Sequence, residues 1–469
     1  MLLTRVYAVV TTGALSIYAI RTFSVNAYGR FATAFALITI FGLISEMGIS
    51  AVTLRELTMR PDDERSTAGV ALWAEVTTSV LAIALMFPLA LLLSFSRAVI
   101  TVLVFGAGII LFQGLLAALE ACFQARRLLV YAAYFWATQA TVTTVVGFAA
   151  VAAGAGPSGL AAAMTLGYAA ATPVAFVLVH RRLGLRPNLR GTWRRVFPFV
   201  WTALPIAATG GMSVIYDRVD VLMLSKLDGS RSVAIYNVPL TILQYSMVVP
   251  AIVATAFFPV FVENLRSSQA LAQQSFDLLA RIFLLISVPV AIVLTIGGEP
   301  VLTTIFGDRY RDSAQPLSIL AWSIVLGFFN YLFWYALLAA YRERAKLWIM
   351  TVGLALNVGL NAVLIPASGA RGAAISLIAS DVLIVWWQGI LIRRHLFEIA
   401  MRSLVVKPLI AGVAAFVVAL ALLSVSDFLA SVAAGTTYIC VLLGARYISL
   451  AEWEPLLAPV RIAFVRFRA

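Results

Sequence analysis

Fourteen stretches of this sequence run for about 18 residues or more with few charges, enough to cross roughly 30 Å of hydrocarbon as a helix. They fall at 3–20, 31–54, 68–94, 98–122, 129–153, 157–180, 198–226, 233–258, 277–297, 315–340, 345–366, 369–393, 402–424 and 427–448. Lipid offers a bare backbone no hydrogen-bond partner, so each stretch must satisfy its own N–H and C=O groups by coiling. Hydrophobic residues make up 62% of the 469 and charged ones 12%, more apolar surface than one soluble core can hide. The sequence predicts an all-α polytopic membrane protein with 14 transmembrane helices.

A net charge of +13 would suit a nucleic-acid partner if it formed a face or an arm. Instead the basic residues stand in short groups between apolar runs, as helix-end anchors do, and no nucleic-acid contact is expected. With the N-terminus inside, roughly three quarters of the 34 Lys and Arg fall on the cytoplasmic side, notably Arg181–Arg195, Arg342–Lys346 and Arg393–Lys407. Both termini are therefore expected inside, in a multi-pass protein of the cytoplasmic (inner) membrane. Arg5 precedes the first run, but no small-x-small cleavage site follows near Thr22–Asn26, so that run reads as a retained helix.

The chain also repeats itself. Gly156-Pro-Ser-Gly-Leu-Ala-Ala leading to His180-Arg-Arg-Leu, and Gly369-Ala-Arg-Gly-Ala-Ala-Ile leading to Arg393-Arg-His-Leu, share a Gly-x-x-Gly turn, a long apolar helix and a basic stop. Two pseudo-symmetric six-helix lobes follow, residues 1–182 and 197–396, with function expected in the space between them. A cytoplasmic linker, 183–196, joins the lobes. It is either an amphipathic segment on the anionic inner surface or a plain basic loop. Residues 397–469 supply two extra helices and a cytoplasmic tail.

Several chemistries have no residues to carry them. No large extramembrane loop holds acidic or nucleophilic groups, so an enzyme is not expected. No G-x-x-x-x-G-K-[ST] loop is present, so no nucleotide cofactor is expected either. Cys122 and Cys440 lie in predicted helices without ligand spacing, and no metal site is read. His180 and His395 stand among arginines at equivalent helix ends and read as interfacial anchors. A channel would need a selectivity-filter pattern, which is not visible.

What stands out instead are ionisable residues inside apolar runs, each costing about 2.5 to 3.5 kcal/mol on insertion scales. The densest group is Tyr216-Asp217-Arg218-Val219-Asp220. Helical spacing puts Ser213, Tyr216, Asp217 and Asp220 on one face and turns Arg218 away, to serve as an outer-end anchor or as a cavity or gate residue. Glu46 lies well inside the second run and Asp381 near the middle of the twelfth, each with either a packing role or a role toward substrate or protons. Glu75 and Glu120 lie nearer inner ends, where a structural role is expected. Arg21 and Arg55 close the first two runs. Asn330, Asn357 and Asn361 are expected to bond neighbouring helices.

Three motifs carry a resemblance. Tyr28-Gly-Arg-Phe with Ile44-Ser-Glu-Met-Gly-Ile-Ser and Leu54-Arg-Glu-Leu, Arg218-Val-Asp-Val-Leu-Met-Leu with Ala234-Ile-Tyr, and Asn361-Ala-Val-Leu-Ile-Pro-Ala-Ser-Gly-Ala-Arg-Gly-Ala-Ala are similar to segments of bacterial polysaccharide flippases. Glu46 stands where that family commonly has Asp. The resemblance extends over about residues 1 to 400 and implies the multidrug/oligosaccharidyl-lipid/polysaccharide exporter superfamily, with fourteen spans in two lobes and two further helices. It implies a transporter that flips polyprenyl-diphosphate-linked oligosaccharide from the inner to the outer leaflet by alternating access. Arg21, Arg55 and Arg218 are then candidates to offset the diphosphate charge. Asp217, Asp220, Glu46 and Asp381 are candidates for sugar hydroxyls, gating or coupling. Membrane lipids, and glycan polymerase or glycosyltransferases, are the partners that implication allows. The rival readings are a multidrug or cation antiporter of the same architecture and a non-transporting scaffold for glycan-synthesis enzymes.

Overall fold

The computed structural model describes residues 2–46, 48–189, 192–340 and 342–448; the expected tail beyond residue 448 and Arg190 of the linker lie outside them. Described residues form helices and connections without a strand. The α-helices are α1 (Leu2–Thr22), α2 (Val25–Glu46), α3 (Ile49–Met59), α4 (Glu64–Leu92), α5 (Arg97–Ala125), α6 (Leu129–Ala152), α7 (Gly156–Leu183) and α8 (Val196–Leu227), followed by α9 (Ser230–Ser246), α10 (Val248–Ser267), α11 (Gln269–Ile296), α12 (Gly298–Phe306), α13 (Ala314–Ala339), α14 (Glu343–His395), α15 (Met401–Leu422) and α16 (Asp427–Gly444). Among the described residues, eleven stretches are long and apolar enough to cross a membrane, so the chain is a multi-pass membrane protein.

Three departures from the expected spans have local causes. The run 31–54 is split at Gly48, whose left-handed backbone (φ 71°, ψ 14°) separates α2 from α3. Glu46 therefore ends a helix instead of sitting within one. The runs 345–366 and 369–393 fall within α14, which is broken at Ser368 (φ −148°) and Gly369 (φ 55°, ψ −129°). A short helix, α12, appears between the runs 277–297 and 315–340.

The chain divides into two compact units, Met1–Asn237 with Val358–Ala370, and Val238–Asn357 with Arg371–Ala469. In the first, α5 packs against α2, α3, α4 and α7, burying Leu37, Met86, Leu103 and Phe123. Lipid tails are as apolar as Leu, so close backbone approach carries much of this packing. At Gly29 a Cβ would overlap the carbonyl oxygen of Ser230, so glycine there lets the start of α2 lie directly on the start of α9. The linker of this unit is irregular over 184–189 and tied to the foot of α4. Asn188 N–H donates to Arg65 O at 2.8 Å, Trp73 Nε1 donates to Leu189 O at 2.9 Å, and Arg195 pairs with Asp63 at 3.0 Å. Leu185 is buried, while Trp193 and Phe197 are exposed.

In the second unit α11 packs against α10, α13 and α16. Phe276 stacks on Phe333 with ring centroids 5.7 Å apart and meets Phe397 edge-on at 5.2 Å. The hairpin of α15 and α16 lies on α11, with Ala411, Ala415, Ala434 and Tyr438 fully buried. Small residues on α15 allow that approach.

Candidate functional site

The polar centre of the first unit gathers where α8 ends. Tyr216 and Asp220, one turn apart on α8, are 4% and 2% exposed. The tight turn after α8 sends the chain into α9, which returns Tyr236 beside the same helix end. The Tyr236 hydroxyl donates to Asp220 Oδ2 at 2.7 Å, and Asn361 Nδ2, from α14, donates to Asp220 Oδ1 at 2.6 Å. Tyr236 and Asn361 have no exposed surface. Each oxygen of a buried carboxyl group thus has a donor, the condition under which such a group is tolerated in a low-dielectric interior.

The next layer ties this centre to α2. Asn237 Nδ2 donates to the Tyr28 hydroxyl at 2.7 Å. Tyr28, Phe31 and Phe35 follow one face of α2, with ring centroids 6.5 Å and 5.8 Å apart. The Arg218 guanidinium lies over the last of these rings, 5.9 Å from the Phe35 centroid. At Gly369 a Cβ would overlap Asp228 Oδ2, and φ is positive, so only glycine fits the break of α14 against the end of α8. Lys226 donates to Leu93 O and lies 3.7 Å from the centre of the Phe95 ring, which fixes the end of α8 to the loop between α4 and α5.

The expected residues are distributed unevenly. Asp220 and Arg218 are at this centre on opposite sides of α8, as their spacing requires. Asp217 is exposed, although its spacing predicts that it shares the face of Tyr216 and Asp220, and Val221, one turn beyond it, is buried. Arg21 is exposed at the end of α1. Arg55 is exposed on α3 and lies 3.5 Å from Glu56. Glu46 accepts from the Ser50 hydroxyl at 2.8 Å across the α2–α3 break. Asp381 is half-buried on the second half of α14 and belongs to the other unit. Asn330, expected to bond a neighbouring helix, accepts from Gln388 Nε2 at 2.9 Å.

Two partners of Asp220 were only partly legible. Asn361 was read as a helix-bonding residue, as it is, but nothing in local spacing points from it to Asp220. Tyr236 closes the Ala234-Ile-Tyr segment that carries the resemblance, but nothing in its spacing points from it to Asp220. Glu75 is the larger surprise. It has no exposed surface, neither oxygen has a hydrogen-bond partner among the described residues, and a Cβ on Gly114 would collide with Oε2. Beside it Ser45 and Ser79 hydrogen-bond to each other at 2.6 Å. No group of three or more His, Cys, Asp or Glu suited to a metal is found among the described residues. At the opposite end of the unit, the hydrogen bond from Arg126 to Glu64 (2.6 Å), and then the charge of that carboxylate, raise the guanidinium above its already high range.

This arrangement of helices is a known one. The structure of a lipid II flippase MurJ in an inward closed conformation superposes with a TM-score of 0.77, at 13% identity, over 95% of this chain and 98% of that one. An inward-facing multidrug resistance MATE family transporter of the MOP superfamily matches at 0.65, with 14% identity, over 82% of this chain and 95% of that one. A mutant of the Vibrio cholerae MATE transporter VcmN matches at 0.57, with 13% identity, over 85% and 95%. No curated protein sequence matches the chain. The fold is thus the multi-pass helical fold of MurJ and the MATE transporters. Within that class the chain belongs to the family of polysaccharide biosynthesis proteins, which it matches over residues 20–315.

Proposed function

We propose that this protein carries a polyprenyl-diphosphate-linked oligosaccharide from the inner to the outer leaflet of the cytoplasmic membrane by alternating access, for export of a cell-surface polysaccharide. The observation that carries this reading is the extent of the likeness. The lipid II flippase covers 95% of the chain, against 82% and 85% for the two multidrug transporters, and the family is one of polysaccharide biosynthesis. The fourteen spans, both termini inside, and the lobes 1–182 and 197–396 joined by the linker 183–196 belong to the same proposal.

Moving such a substrate requires a path that tolerates an anionic head group while the prenyl tail remains in lipid. Arginine suits the diphosphate because its planar fork can bind two oxygens at once. Arg218, held over Phe35 and within electrostatic reach of Asp217, is assigned to that purpose. Arg55 and Arg21 are assigned the same role nearer the ends of their helices, with Asp217, Glu46 and Asp381 serving sugar hydroxyls, gating or coupling. Asp220, already engaged by Tyr236 and Asn361, is assigned to holding α8, α9 and α14 in register. The chain itself is assigned no enzymatic step.

Depletion of the protein should cause a lipid-linked oligosaccharide to accumulate on the inner leaflet, read by leaflet-selective labelling and mass spectrometry. Arg218→Glu and Arg55→Glu should reproduce that accumulation at unchanged protein level. The multidrug reading, favoured by the MATE matches, predicts raised drug sensitivity without any lipid-linked sugar; that outcome would reject the flippase reading.

A further inference from the structure

The second unit holds a cluster of charge that the transport reading does not use. Arg402 and Lys407 lie in the first turns of α15, Arg446 just beyond α16, and Arg281 in the middle of α11. These four cationic side chains line one cavity of about 640 Å³ together with Ala400, Val406 and Tyr447, and among the described residues no carboxylate lines it. Asp277, one turn from Arg281 on α11, is buried and does not line the cavity.

The walls are fixed. Lys407 Nζ donates to the carbonyl oxygen of Ala445 at 2.8 Å, and the Tyr447 hydroxyl donates to Leu404 O at 2.7 Å, so the foot of α15 is laced to the chain leaving α16. Arg281 lies within electrostatic reach of Asp277, whereas Arg402, Lys407 and Arg446 bring three like charges to the mouth of the cavity, which favours an anion there.

The surroundings indicate what kind of anion. From Val406 at the cavity an exposed apolar stripe climbs α15 through Leu409, Val413, Val417 and Leu420, spaced at three and four residues and therefore on one face. A cationic cavity at the foot of an apolar stripe matches a molecule with an anionic head and hydrocarbon tails. The charge pattern places this foot at the cytoplasmic surface.

We infer that Arg281, Arg402, Lys407 and Arg446 form a binding site for the phosphate of an acidic phospholipid of the inner leaflet, whose acyl chains lie along α15. Arginine forks clasp the phosphate oxygens, and Lys407 contributes a point charge from its pinned position. The lipid would bridge α11, α15 and α16 at the foot of the hairpin. This assignment stands whether the transported molecule is a lipid-linked sugar or something else.

Native mass spectrometry of the full chain, released from nanodiscs of phosphatidylglycerol or phosphatidylcholine, tests it. The wild type should retain phosphatidylglycerol in preference to phosphatidylcholine. Arg402→Glu should weaken that retention about tenfold and Arg402→Gln by a smaller factor, while Arg393→Glu, on an equally exposed arginine outside the cavity, should leave it unchanged. Size-exclusion profiles of the two Arg402 variants establish that each is folded. Equal retention by wild type and both Arg402 variants would overturn the proposal. So would an equal loss in Arg393→Glu, which would show unspecific surface charge. Inorganic phosphate that displaces phosphatidylglycerol at equal concentration would make the cavity a free-phosphate site and overturn the lipid assignment.

Discussion

Two buried carboxyl groups in the first unit, Asp220 and Glu75, face the same solvation problem and meet it differently. Asp220 has a tyrosine hydroxyl on one oxygen and an asparagine amide on the other. Glu75 lies among small residues with neither oxygen hydrogen-bonded among the described residues. A buried polar group with its donors in place costs little and fixes its neighbours. One without them costs its desolvation outright, so removing it should cost little or stabilise the fold. Burial alone therefore does not rank the two; partnership does.

The widest separation between them is expected from Asp220→Leu, which leaves the Tyr236 hydroxyl and the Asn361 amide facing an apolar side chain. A loss of about 3 kcal/mol is expected, read as a lowered melting temperature of the purified protein in detergent. A variant that melts with the wild type would remove the lock. Next comes Asn361→Leu, which strips one donor from Asp220 and should cost about 2 kcal/mol in the same assay. Tyr236→Phe removes only a hydroxyl from an otherwise intact packing, and about 1.5 kcal/mol is expected. A double-mutant cycle of Asp220→Leu with Tyr236→Phe should then show coupling of about 1 kcal/mol, since the second change finds no bond left to break. Smallest of all is Glu75→Leu, which should shift stability by less than about 0.5 kcal/mol or raise it. A loss there as large as that of Asp220→Leu would mean that Glu75 has a partner as strong, and the contrast would collapse.

Much of the architecture could be read from the chain because apolar length is a local property. Each stretch of Leu, Val, Ala and Phe announces its helix whatever lies beside it. The break at Gly48 could not be, since glycine inside apolar helices is common and only the left-handed backbone distinguishes this one. The polar centre was half legible. Helical spacing correctly turned Arg218 away from Asp220, yet left open which residue it would find. That residue, Phe35, lies on a helix 183 positions earlier and carries no charge to advertise the pairing. Glu75 was ranked below Glu46 and Asp381 from its depth in its run, whereas its isolation depends on what α2 and α5 place around it, which no periodicity of α4 records. The charge rule sorts the basic residues by side, but the convergence of Arg281 with Arg402, Lys407 and Arg446 brings α11 to the foot of a hairpin more than a hundred positions later.

The bond from Asn361 to Asp220 spans 141 positions of chain, while that from Tyr236 spans 16. During synthesis from the N-terminus, α8 therefore enters the bilayer with its aspartate and acquires its tyrosine almost at once, but the asparagine leaves the ribosome only after α9 to α13 have followed. At about 5–20 residues per second, that interval lasts on the order of ten seconds. Through it the aspartate is held by a single early companion, and the final seat of α8 is decided late. A nascent chain halted before residue 361 should show that stretch still open to a membrane-permeant carboxyl reagent, and one released just beyond it should not.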